Sequence, residues 1–262
     1  LKGTRFGMLW PFANRIADAR YQFGGELHDL QPDVTADARG IRHGFVRDAE
    51  FDLLSVDADD AGVCARLGYS GVRPGVHPGY PFAVDLELAF TLHTGGLDLH
   101  ARMRNVGKRA APCFFGWHPY FRLRDDGVDA CHLHLPARQL VRTDAKPIPL
   151  PGDAAFEPAR DNPPLDFQRQ RAIGNSIIDN GYAGLQADAD GRIRSHLRDP
   201  ESGLAIAMWQ DSGVIVAFTG DSLAQGARRS VAIEPMQALT NAFNRADCAD
   251  AITLAPGAER TF

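Results

Sequence analysis

Two short stretches hold residue types that can move protons. "FGWHPYFRL" (115–123) sets His118 between Trp117 and Pro119, with Phe115, Tyr120 and Phe121 around it. "VAIEPMQALTNAFN" (231–244) places Glu234 directly after an apolar run and before Pro235. An imidazole, with an ordinary pKa of about 6.5, is the side chain best suited to donate a proton near neutrality, and a carboxylate is already ionised there and can accept one. Pro119 confines His118 to extended backbone and brings no N–H donor, so this segment is stiff and non-helical. Its aromatic neighbours Phe114, Phe115, Trp117, Tyr120 and Phe121 could wall a pocket, stacking on C–H surfaces of a sugar while polar groups fix the hydroxyls. Plainer readings exist for both residues. His118 can be a packed histidine near a sheet edge. Glu234 can be an exposed strand-end carboxylate, because burying one beside apolar residues is costly unless it is paired. On this reading Pro235 stops the ladder, and Glu234 ends its strand.

Weaker candidates follow. "PFANRI" (11–16) puts Arg15 between Asn14 and Ile16, and "HGFV" (43–46) opens on His43. "NSIIDNGY" (175–182) sets Asp179 in an Asp-Asn-Gly sequence, which reads as a turn whose own chemistry accounts for the Asp. His132 and His134 alternate on one strand, but two imidazoles without a carboxylate or thiol at suitable spacing make a poor metal site. There is no G-x-S-x-G elbow and no glycine-rich phosphate loop. The chemistry on offer is His plus carboxylate, with no metal and no cofactor.

The elements that must position these residues are strands. In "FAVDLELAFTL" (82–92), Phe82, Val84, Leu86, Leu88, Phe90 and Leu92 fall on one face, with Asp85, Glu87 and Thr91 on the other. "GLDLHARMRNV" (96–106) repeats the pattern, and the intervening "HTGG" reads as a hairpin turn. Further strands are expected at 44–56, 63–69, 131–135, 192–199, 203–210, 213–219, 230–234 and 251–255. "KPIPLPGD" (146–153) is a loop, and only 154–180 has room for short helical turns. The expectation is one mostly antiparallel all-β domain over 1–262, with two large sheets packed face to face.

Composition narrows the partners. The 262 residues are 44% hydrophobic and 23% charged, ordinary for a soluble globular chain. A formal net charge of −5 and the lack of a Lys/Arg block argue against nucleic acid. Apolar runs such as "LAIAMW" (204–209) are too short to span a bilayer. Cys64, Cys113, Cys131 and Cys248 are widely spaced and read as free thiols, which points to the cytoplasm.

Taken in order, "PFANRI", "HGFV", "GWHPYF", "IDNGY", "IEPM…NAFN" and the closing "LAPGAERTF" resemble the aldose 1-epimerase (galactose mutarotase) family. The resemblance implies a β-supersandwich and the interconversion of α- and β-anomers of a free hexose, with a monosaccharide as the partner and the chain a monomer or weak homodimer. It implies that His118 is the general acid and Glu234 the general base. Arg15, His43 and Asp179 would contact the sugar, with Asn14, Trp117 and Tyr120 beside them. One departure is plain. Family members usually carry several strands before the "NRI" element, whereas thirteen residues precede Asn14 here, so N-terminal strands are expected to be missing. Other readings on the same fold are a hexose-6-phosphate 1-epimerase, using cations such as Arg73, Arg122 or Arg124, and a non-catalytic sugar-binding protein. A glycosidase would usually want a second carboxylate, for which only Asp179 is at hand.

Overall fold

A computed structural model describes residues 6–262; the first five residues of the expected 1–262 domain lie outside that span. Strands take up 44% of the chain and helices 9%, and the sheets are antiparallel. The chain divides into two compact units: residues 116–239 with the segment ending at Met8, and residues 9–115 with 240–262.

The first unit carries an eight-stranded and a four-stranded sheet. In the larger one the path runs Gly7–Leu9, Gly116–His118, Val231–Met236, Val214–Phe218, Asp179–Leu185, Ala137–Val141 and Phe156–Pro158, and Tyr120–Phe121 also pairs with Val231–Met236. The smaller orders Arg171–Ala172, His132–His134, Ile193–Arg198 and Ala205–Gln210. Alternation gives each strand of the larger sheet two faces. Leu140, Tyr182, Ile215, Ala217, Val231 and Ile233 share one buried cluster with Leu133, Leu197 and Met208 of the smaller sheet. Residues of opposite parity, Glu234 and Val216 among them, stand on the other face.

In the second unit the five-stranded sheet orders Glu259–Thr261, Gly96–Asn105, Val84–His93, Gly62–Val72 and Asp52–Asp59. The "HTGG" hairpin is present, with His93 opposite Gly96. Val84, Leu86 and Leu88 are buried as the alternation predicts, but the apolar stripe outruns the core, and Leu92 is 61% exposed. Smaller two-stranded ladders join Arg15–Ile16 to Ile41–Arg42 and Arg20–Phe23 to Glu26–Asp29.

Several expected elements fall elsewhere. The 44–56 stretch contributes only the start of Asp52–Asp59, because His43 and Gly44 both hold positive φ (66°) and Gly44 instead bridges Trp10. Residues 251–255 divide into a short helix ending at Ile252 and a strand, Thr253–Leu254. The 154–180 region holds 3-10 turns at Gly152–Ala155 and Ala159–Asp161. Asp179 opens the strand Asp179–Leu185 and does not sit in a turn; pairing with Val214–Phe218 overrides the local Asp-Asn-Gly preference. All four cysteines are free, and burial pushes the Cys113 thiol up to about 12. Among the described residues, no helix is long and apolar enough to cross a membrane.

The turn leading from the smaller sheet into Val214–Phe218 depends on Gly213. Its φ is 92°, and a Cβ there would overlap the carbonyl oxygen of Met236. Gly203 also has positive φ (77°) but nothing near its would-be Cβ. Gly203→Ala should therefore cost only the left-handed strain, about 1–2 kcal/mol. Gly213→Ala adds a backbone clash and should lose about 2–4 kcal/mol in urea unfolding. Equal losses in the two variants would refute the clash.

Candidate functional site

The strands carrying His118 and Glu234 are hydrogen-bonded neighbours. Gly116 lies opposite Met236, and Tyr120 and Phe121 lie opposite Ala232 and Val231. One unbroken register through these pairs puts His118 directly across from Glu234. Cross-strand partners have their Cβ atoms about 5 Å apart on the same face, and here the side chains touch: His118 Nε2 is 3.2 Å from Glu234 Oε1. The backbone of His118 is held on its other side by Phe6, whose N–H donates to the His118 carbonyl at 2.9 Å.

The two prolines flanking the pair do not break the sheet. The Pro119 carbonyl accepts from the Ile233 N–H at 3.4 Å. The strand runs on past Glu234 to Met236, with Pro235 opposite Ile215, so the expected stop at Glu234 is corrected. Residues two apart in a strand direct their N–H groups to the same neighbour. Ile233 donates toward the His118 strand, so the donor missing at Pro235 is missing on that short side. The ladder to Val214–Phe218 stays whole.

All six residues of Val231–Met236 are buried. Glu234 is 2% exposed and His118 5% exposed. Burial raises the Glu234 carboxyl well above its ordinary pKa, and the negative charge of Asp179 pushes it the same way. Its Oε2 has no hydrogen-bond partner among the described residues. A buried carboxylate oxygen left unpaired is costly unless something polar arrives to meet it. With the imidazole in contact at 3.2 Å, a group that can donate a proton and one that can accept it stand side by side.

Register also places the rest. Val216 is opposite Glu234 and Gly181 opposite Val216, and Asp179, two residues from Gly181, shares that face. Tyr120 stands on it as well, its ring stacked on His118 with centroids 4.9 Å apart and planes 19° apart. Trp117 does not join them. Alternation turns it to the opposite face, edge-on to Phe6 at 4.9 Å. Phe121 packs against the buried cluster, and Phe114, in the second unit, lies 6.0 Å from Phe243. Of the aromatic wall expected around His118, Tyr120 is the member that stacks on the imidazole.

Asn14, Arg15 and His43 form a cluster within the second unit. The His43 N–H donates to the Asn14 carbonyl at 2.8 Å, and the Asn14 N–H donates to His43 Nδ1 at 3.3 Å. Arg15 pairs with Arg42 across a two-residue ladder. His43 is buried, and both it and Asn14 hold positive φ, 66° and 54°. Asn241 and Asn244, which the sequence offered only as letters of "NAFN", also belong to this cluster. In the smaller sheet of the first unit His134 lies opposite His196 with ring centroids 5.6 Å apart. Among the described residues, no three His, Cys, Asp or Glu gather as metal ligands.

Known proteins resemble this chain in sequence and in overall fold. The chain is 27% identical over 241 residues to the uncharacterized protein YihR of Escherichia coli K12, covering 90% of this chain and 71% of the relative. It matches the crystal structure of a candidate aldose 1-epimerase of Escherichia coli K12 with a TM-score of 0.76 at 26% identity, over 97% of this chain and 80% of that one. A galactose mutarotase-like protein of Clostridium acetobutylicum superposes with a TM-score of 0.81 at 16% identity, over 98% of this chain and 76% of that one. The fold is therefore the galactose mutarotase-like one that the motif order implied. Residues 5–262 match the profile of the aldose 1-epimerase family, and the chain belongs to that family.

Proposed function

We propose that this protein is an aldose 1-epimerase that interconverts the α- and β-anomers of a free hexose by acid–base ring opening and reclosure. The observation that carries the reading is the buried contact of 3.2 Å between His118 Nε2 and Glu234 Oε1. Anomer exchange requires a proton to leave the O1 hydroxyl while another reaches the ring oxygen. Both oxygens are bonded to the same carbon, so the groups serving them must themselves be neighbours. Ionised Glu234 takes the O1 proton, the C1=O double bond forms, and the C1–O5 bond breaks as protonated His118 gives its proton to O5. Rotation about C1–C2 presents the other carbonyl face. Reclosure returns each proton along the same path, leaving both residues as they began. A base with a raised pKa is a stronger base once ionised, which suits removal of a hydroxyl proton.

Asp179 and Tyr120, on the same sheet face, are assigned to orienting the sugar, with Asn14, Arg15 and His43 assigned to its hydroxyls on family membership. Trp117 is assigned to supporting Phe6 and the sheet. A 6-phosphate reading would need cations to spare at the sugar's far end. Those the sequence offered are engaged: Arg73 with Asp85 at 2.5 Å, Arg122 with Asp125 at 2.5 Å, and Arg124 with Asp126, Asp199 and Glu201 at 2.7–2.8 Å. This favours an uncharged hexose. A purely sugar-binding protein has no use for a desolvated carboxyl against an imidazole.

Polarimetry on freshly dissolved α-D-glucose and α-D-galactose is the direct test, with acceleration by the chain expected for at least one. Glu234→Gln should lower kcat by about 10²–10⁴-fold, and His118→Asn comparably, with sugar affinity within about tenfold in each. Full turnover in Glu234→Gln, or acceleration of a 6-phosphate alone, would contradict the reading.

The pH profile gives an independent check. Activity needs ionised Glu234 and is lost as pH falls through its pKa. Because burial and Asp179 both raise that pKa, the acid limb of kcat/KM should lie above the ordinary carboxylate range, near 4.3. Asp179→Asn removes one upward push and should move the limb to lower pH, whatever it does to KM. A limb that stays in place or moves upward would show that Asp179 does not act on Glu234.

A further inference from the structure

The "NAFN" stretch holds a residue that hydrogen-bonds the segment carrying Arg15 through both its main chain and its side chain. Asn241 is buried and takes the left-handed conformation, with φ 63° and ψ 24°. Its backbone N–H donates to the carbonyl of Arg15 at 2.8 Å. Its side-chain Oδ1 accepts from the Ala17 N–H at 2.9 Å and from Asn244 Nδ2 at 2.8 Å. Asn244 Nδ2 in turn donates to the Arg20 carbonyl at 2.8 Å. One residue thus grips the chain on both sides of Ile16, through its main chain and its side chain together.

The opposite border of Arg15 is held as well, by His43. Its N–H reaches the Asn14 carbonyl, its Nδ1 receives the Asn14 N–H, and the adjoining Arg42 pairs with Arg15. Arg15 therefore sits between two clamps whose central residues are both left-handed. Among the described residues, the non-glycine positions with positive φ include Asn14, Asp18, Ala19, His43 and Asn241, so strained backbone is concentrated here. Such conformations persist only where surrounding bonds over-determine them, and they gather at sites of function. Asparagine suits position 241 on two counts. It tolerates the left-handed region better than other side chains, and its amide oxygen is at the right length to reach a neighbouring N–H.

We propose that Asn241 is a positioning residue for sugar binding, holding the Arg15 main chain, and through it the Arg15–Arg42 ladder beside His43, in the one geometry that binds substrate. This rests on the assignment of Arg15 and His43 as sugar contacts. It adds a residue that touches no substrate atom and acts on binding alone.

Three variants and two readouts test it. Asn241→Gly keeps the left-handed backbone without strain and deletes Oδ1. Asn241→Asp keeps an acceptor oxygen. Contacts made equally in the ground and transition states appear in KM and not in kcat, so Asn241→Gly should raise the KM for the preferred aldose about fivefold or more with kcat within about twofold. Asn241→Asp should restore KM to within about twofold of the parent chain, because a carboxylate oxygen can still accept from Ala17. Thermal melts accompany both, since a merely structural role would move Tm and both kinetic constants together, with no selective rescue of KM. Should Asn241→Gly fold poorly, Asn244→Ala removes the bonds to Asn241 Oδ1 and Arg20 and should raise KM in the same direction by a smaller factor. A parent-like KM in Asn241→Gly or in Asn244→Ala, or no rescue by Asn241→Asp, overturns the proposal. If the parent chain accelerates no aldose, the functional reading itself fails, a result distinct from an active parent whose KM ignores position 241.

Discussion

The contact between His118 and Glu234 rests on the register between two strands. Once Gly116 pairs with Met236 and Tyr120 with Ala232, His118 has no other place than opposite Glu234. Moving the register by one residue would send one of the two side chains to the other face of the sheet. The contact is thus set by the ladder hydrogen bonds of the sheet and owes little to flexible loops. That setting also explains its cost. A carboxyl at 2% exposure, with one oxygen unpaired and a second acidic residue acting on it, is destabilising when ionised. Sign follows from the direction of the shift. The folded-state pKa lies above the unfolded one, so the penalty is absent at low pH and grows as pH rises toward the folded value. Natural folds accept such penalties where a site needs them.

Alternation divides the labour of the large sheet. Its inner face supplies Leu140, Tyr182, Ile215, Ala217, Val231 and Ile233 to a closed apolar cluster, and stability comes from there. Its other face gathers His118, Glu234, Tyr120 and Asp179. The apolar residues on either side of Glu234 along Val231–Met236, all buried, are thus the anchor that holds it in place. In the second unit, rigidity has another source. Asn14, His43 and Asn241 all occupy the left-handed region and are held there by reciprocal hydrogen bonds.

What could be read in the sequence was local. The hairpin around "HTGG" is visible because alternation and glycine both act over a few residues. His118 and Glu234 stand out by residue type and local setting, and the motif order points to the family whose resemblance implies their acid and base roles. That the two converge follows from the resemblance; that they do so as directly opposed residues of one ladder was not legible, since register between strands so far apart in the chain depends on the whole sheet. Local signals misled where tertiary pairing won: Asp179 reads as a turn but opens a strand, and Pro235 reads as a stop but lies within one. Trp117 looked like pocket wall by adjacency to His118, yet adjacency in a strand means opposite faces. Asn241 gave no signal beyond its letters, because its role lies in hydrogen bonds to a segment near the other end of the chain.

The central claim is that Glu234 is desolvated against His118 and holds its proton to unusually high pH. Titrating the side-chain carboxyl carbons by NMR in a ¹³C-Glu-labelled chain measures this directly, with the Glu234 signal identified by its loss in Glu234→Gln. The account predicts a midpoint well above about 4.3, the ordinary glutamate value. A midpoint at or below that value would contradict it.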